Sequence, residues 1–160
     1  MGSGGARKGL IALCFWLLAG GVAVADCRPD TVDLRWPGGT ARFHVDLADT
    51  PELQSRGLMY RAQMASSTGM LFVFPEPKHA SFWMKNTLIP LDMLFLDAEG
   101  RVSKIHENAV PHDETAIDGG EDVKFVLEIN GGLVARLHLP KGAEMRHPSI
   151  LQNNAAWPCE

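Results

Sequence analysis

SFWMKNTLIPLDMLFLD, residues 81–97, is the most apolar part of the chain after its N-terminal segment, yet it carries Lys85, Asn86 and Asp92. A charged or amide side chain taken out of water costs several kcal/mol unless it is paired, so each must be exposed, satisfied by the protein, or turned toward a ligand. In an extended strand over 91–96 the even positions are Asp92, Leu94 and Leu96, which puts the carboxylate on a face otherwise made of leucine. Pro90 bends the chain just before it, so that residues 85 and 92 lie on adjacent segments. Arg56, Arg61 and Lys85 are the cations nearest in sequence, and an ion pair locking a loop to the sheet is the first expectation for Asp92.

Working outward from this stretch, Val32, Leu34 and Trp36 alternate with polar residues, as do Ala41, Phe43, Val45 and Leu47. With PGGT between them, residues 31–47 are expected to form a hairpin of half-buried strands. Thr50, Pro51 and Glu52 supply an N-cap, a first helical residue and a first-turn acid for a short helix that Gly57 weakens. GMLFVFP, residues 69–75, is a continuous apolar run of strand length, expected to stop at Pro75-Glu76-Pro77. DAEG at 97–100 is a tight turn into a weaker strand over 101–106, and 108–122 is polar enough to be called a loop. Val123, Phe125, Leu127 and Ile129 mark a late strand. Asn130 is the expected cap of a helix striped by Leu133, Val134 and Leu137 and ended by Pro140 and Gly142. The expected class is α+β, mainly antiparallel, with two short helices. Signals for parallel crossovers are missing and edge strands need protection, so a compact barrel-like or strongly curved sheet is anticipated.

Arg7 and Lys8 precede an apolar run over 10–18, and Ala23-Val24-Ala25 matches the small-x-small pattern of a signal peptidase site. Residues 1–25 are therefore expected to be a cleaved signal, and 26–160 a single exported domain, periplasmic or secreted. No later run reaches the roughly 20 apolar residues of a membrane helix, so no span is expected once the signal is gone. Asp26 stands where a lipoprotein signal wants a small residue, which disfavours an anchor at Cys27. Losing Arg7 and Lys8 moves the formal charge from -4 to -6. Such an acidic chain without a Lys/Arg stripe repels phosphate backbones, so nucleic acid is not an expected partner. Cys14 leaves with the signal, and Cys27 and Cys159 remain as an even pair at the two ends. In an oxidising compartment a disulfide is expected of them, two free thiols on frayed ends being the alternative.

Five blocks carry a resemblance: GLMYR at 57–61, GMLFVF at 69–74, FWMKNTLIPLDMLFLD at 82–97, IHEN at 105–108 and VLEINGG at 126–132. Together they resemble the successive motifs of domain of unknown function family 192, with Trp-Met-Lys-Asn-Thr the most specific. The resemblance implies a small bacterial domain, often exported, with a compact mainly β fold and no established biochemical activity.

The functional reading gathers Arg61, Trp83, Lys85, Asn86, Asp92 and Glu128 around a shallow pocket, with Trp83 as an apolar plate. That set suits a small polar or anionic ligand: a carboxylate, a sugar or a cell-wall fragment. Backbone N–H groups at Asn130-Gly131-Gly132 are a further place for an anion. One alternative is a hydrolase of a cell-envelope polymer that uses Asp92 and Glu128 as an acid/base pair about 5–10 Å apart. The absence of G-x-S-x-G, H-E-x-x-H or a phosphate loop weighs against an enzyme. A second alternative is periplasmic copper binding, suggested by six histidines together with Met59, Met70, Met84 and Met93. Those methionines sit in apolar blocks and core filling explains them better, so neither a metal site nor a cofactor is assigned. The reading is an exported ligand-binding or envelope-associated accessory module.

Overall fold

The computed structural model of the chain describes residues 27–159 together with Met1 and Gly2. The rest of the expected signal, Cys14 included, lies outside the described residues. β1 (Thr31–Trp36) and β2 (Gly39–Ala48) form the anticipated hairpin, with Val32 opposite Phe43 and Leu34 opposite Ala41. α1 (Pro51–Arg56) starts as its sequence requires: Thr50 Oγ1 accepts the Leu53 N–H at 3.3 Å, and Pro51 opens the helix. At Gly57 the backbone turns to φ +49, a conformation that favours glycine.

α1 leads into β3 (Thr68–Phe82), which runs parallel to β2. This one parallel pair in a mainly antiparallel sheet has a crossover helix that buries none of its residues. Without an apolar stripe it gave no crossover signal. β3 also continues past Pro75-Glu76-Pro77, where the sequence predicts a stop, by shifting register against β6 between Val73 and Ser81. The rest follows as β4 (Leu91–Leu96), β5 (Val102–Ala109), β6 (Ile117–Asn130), α2 (Leu133–Leu137) and β7 (Glu144–Arg146). The expected 108–122 loop shrinks accordingly, because 117–122 pairs with the far half of β3. Gly119 makes that packing feasible: a Cβ there would lie 2.3 Å from the Phe95 ring.

The sheet order is β5-β4-β6-β3-β2-β1-β7. It curls until its edges meet, since β7 pairs with β1 on one side and bridges Arg101 at the start of β5 on the other. The Val102 N–H donates to Ala143 O at 2.8 Å and the Met145 N–H to Gly100 O at 2.7 Å, which satisfies edge groups that would otherwise recruit a foreign strand. One core fills the face to which all seven strands contribute, with Leu34, Leu71, Leu94, Phe125 and Leu127 at its centre and Leu133 and Val134 of α2 packed in. A second core lies on the other face of β3, β4 and β6, around Met70, Phe72, Met93, Phe95 and Val126. Burial on both faces is why 69–74 and 91–96 read as unbroken apolar runs instead of alternating ones.

Cys27 and Cys159 are disulfide-bonded with Cα atoms 5.6 Å apart, closing a loop of sequence separation 132. The C-terminal segment is seated independently. Trp157 lies between the guanidinium groups of Arg35 and Arg146, 4.7 and 4.5 Å from its ring centre, and the Ala156 N–H donates to Glu99 O. Among the described residues no helix is long and apolar enough to cross a membrane.

Candidate functional site

Asp92 does have the compensation that its burial demands, though from another source than the expected cations. Its Oδ1 accepts the N–H groups of Asn108 at 2.8 Å and Gly132 at 3.0 Å, and its Oδ2 accepts that of Val134 at 2.8 Å. Gly132, at φ +81, is the actual N-cap of α2, in place of Asn130, and has no capping side chain of its own. Asp92 therefore caps α2 from β4, across the sheet, and also pins the end of β5. The anion expected at 130–132 is this internal carboxylate.

Glu128 is the opposite case. It stands on β6 between Met70 of β3 and Met93 of β4, and it is only 4 % exposed. Its carboxyl has no hydrogen-bond partner among the described residues, and burial pushes its pKa up to about 8. At neutral pH this glutamic acid is uncharged and carries a free O–H donor. Because Asp92 pairs with Ile129 while Met93 pairs with Glu128, the two carboxyls point to opposite faces of the sheet. They share no substrate space. That geometry removes the acid/base pair on which the hydrolase alternative rested.

Glu128 faces a cleft of about 270 Å³. Phe72, Phe74 and Phe82 of β3 and Trp83 form its aromatic walls, and Leu58, Met59 and Thr87 complete one side. Phe82 is held edge-on between Phe72 and Phe95, at centroid distances of 5.1 and 5.8 Å. Trp83 is 48 % exposed, so the cleft is open at its plate. Two cations line the same space: Arg56 at the end of α1, and Lys78, whose Nζ lies 4.0 Å from the centre of the Phe74 ring.

The remaining sequence-predicted residues surround this cleft without all entering it. Lys85 Nζ sits 5.1 Å from the centre of the Trp83 ring and 3.9 Å from Glu114. Asn86 is a turn residue at φ +53, its carbonyl accepts the Tyr60 N–H at 2.9 Å, and its amide approaches Met59 Sδ at 4.0 Å. Tyr60, at φ +63, and Asn86 are both in the left-handed region, next to the cleft residues Met59 and Thr87. Arg61 pairs with Asp46 at 2.6 Å in a neighbouring cleft of about 650 Å³, which shares Arg56, Gly57 and Met59 with the first. Trp83 and Glu128 are thus the two predicted residues that meet.

Sequence reasoning did not place Phe72, Phe74, Lys78 or Phe82 at the site, and it named Arg56 and Met59 only in other roles, as a cation for Asp92 and a copper ligand. Met70, Phe72 and Phe74 alternate with Leu71 and Val73, but both sets are apolar, so periodicity could not say which face opens onto a cleft. Lys78 follows an apparent Pro-Glu-Pro stop and carried no signal at all.

Among the described residues no three His, Cys, Asp or Glu side chains group closely enough to hold a metal ion. Met70, Met84 and Met93 pack in the second core. His79 bonds Glu121 at 2.7 Å, and His147 is buried against Pro29 O at 3.0 Å.

Solved structures that share the fold include the following two. A protein of unknown function from Novosphingobium aromaticivorans is 42% identical with a TM-score of 0.70, over 72% of this chain and 82% of that one. A Sinorhizobium meliloti protein titled a "putative transcription regulator" is 46% identical with a TM-score of 0.71, over 76% of this chain and 95% of that one. A comparison with curated proteins finds no match. The family model described as "Uncharacterized ACR" matches residues 34–147, which span both cores, the Asp92 cap and the Glu128 cleft, and the chain belongs to domain of unknown function family 192.

Proposed function

We propose that this protein is an exported module that binds a small amphipathic molecule in the cleft between Trp83 and Glu128. The observation that carries the reading is the Glu128 carboxyl, which belongs to a residue only 4 % exposed, has no partner among the described residues, and opens onto an aromatic cleft. A polar group left so is a cost to folding, and a ligand that bonds to it recovers that cost. The fixed aromatic walls supply apolar area, and the half-exposed Trp83 leaves an entrance. Export is supported by the signal-like residues 1–25 and by the Cys27–Cys159 bond, of a kind that persists in oxidising compartments. A nucleic-acid role like the one named for the Sinorhizobium protein is opposed by the formal charge of -4, which repels phosphate backbones.

A fragment library screened by ligand-observed NMR, with hits followed in protein-observed spectra, tests this, using the wild-type protein and its Trp83→Ala and Glu128→Gln variants. Hits that move the Trp83 indole N–H resonance and weaken in Trp83→Ala are expected. Hits indifferent to both substitutions would refute the site.

A further inference from the structure

The charges around the cleft narrow the ligand class. Many cations among the described residues are matched: Arg28 to Asp30, Arg35 and Arg101 to Glu144, Arg42 and Arg146 to Asp33, Arg61 to Asp46, Lys85 to Glu114 and Lys104 to Asp118. Arg56 and Lys78, the two that line the cleft, make no ion pair among the described residues. Glu128 does not serve them either, since burial alone accounts for its shift and no contribution from a cation offsets it. A cationic rim and an uncharged O–H donor thus face one aromatic space with a gap between them.

We propose, resting on the cleft reading above, that the ligand is an organic monocarboxylate with a flat apolar body, its carboxylate accepting the Glu128 O–H and drawn in by Lys78 and Arg56. A carboxylate is the acceptor best matched to a neutral carboxylic acid, because an O–H···O⁻ bond is about twice as strong as one between neutral groups. An amine is disfavoured: it brings a third positive charge into a space that already holds two. A compact polyanion such as phosphate leaves Phe72, Phe74, Phe82 and Trp83 without a partner. At about 270 Å³ the cleft falls below the range of drug-sized sites, so the body is on the scale of one aromatic ring.

The titratable and charged groups facing this space are Arg56 from α1, Lys78 from β3 and Glu128 from β6, and the residue that β4 sets opposite Glu128 is the uncharged, buried Met93. Lys85, with Glu114 beside it, lies against Trp83. Glu128 is the member of that set that changes charge near neutrality, so a ligand needing its proton loses affinity once the pH passes about 8. The loss reaches about tenfold at one pH unit above that value.

Isothermal titration of the disulfide-bonded protein without its expected signal segment, using 3-phenylpropionate, its primary amide and 3-phenylpropylamine at about pH 6 and about pH 9, tests the proposal. The carboxylate is expected to bind at least about tenfold tighter than the amide or amine at the lower pH, and about tenfold more weakly at the higher. Glu128→Gln keeps a donor, so it should bind with that pH dependence removed. Lys78→Ala should weaken the carboxylate by severalfold and leave the amide unchanged. If the amide or amine binds better in a Glu128-dependent way, the carboxylate class is wrong while the cleft reading stands. If none of the three gives saturable heat or moves the Trp83 indole resonance, both fall.

Discussion

Replacing Glu128 by Gln should alter the pH dependence of stability in a direction set by burial. The carboxyl has an ordinary pKa of 4.5 and is pushed up to about 8 in the folded protein. A raised folded pKa means that the native state holds its proton after the unfolded state has released it. The contribution is therefore fully present below 4.5 and is lost as the pH rises through 8. At about 1.36 kcal/mol per pKa unit, wild-type protein forfeits about 3 kcal/mol by neutral pH and about 5 kcal/mol above pH 9. Gln cannot ionise, and whatever its amide gains or loses by packing is a constant offset. Urea unfolding at about five pH values from 5 to 9 gives the quantity needed, namely the variant's stability minus that of wild type. This difference should climb steadily with pH toward those magnitudes. A flat difference would refute the claim that Glu128 is buried without a partner, and with it the basis of the proposed site.

Further outcomes follow from the same contacts. Asp92→Ala leaves three N–H groups without their acceptor, and at about 1–3 kcal/mol each it should cost at least about 3 kcal/mol, with faster amide exchange at Gly132 and Val134. His147 donates from Nε2 to Pro29 O and accepts the Ser149 N–H at Nδ1, and burial holds its pKa below the usual 6.5. Stability should therefore drop as the pH falls from 6.5 toward that depressed value, and a melting series should show this acid-side slope vanish in His147→Asn. Removing the disulfide with Cys27→Ser and Cys159→Ser should cost up to about 5 kcal/mol in denaturant unfolding, given a loop of sequence separation 132.

Much of the fold was legible because it depends on neighbours in sequence. Alternation marked the first hairpin, Thr50-Pro51-Glu52 marked the start of α1, and the runs at 69–74 and 91–96 marked buried strands. The burial of Asp92 was legible too, since its strand face is leucine. Its partners were not: they are backbone groups 16, 40 and 42 residues away, and every residue type offers an N–H. The contrast between Asp92 and Glu128 is likewise a matter of register. Pairing Met93 with Glu128 puts the two acids on opposite faces, and a slip of one residue would have put them on the same one. The sequence by itself thus determined which segments extend, which residues avoid water, and that buried acids needed an account. Tertiary structure alone decided which acid is satisfied by the chain and which is left facing a cleft, because strand register and long-range closure are properties of the assembled sheet that no local pattern encodes.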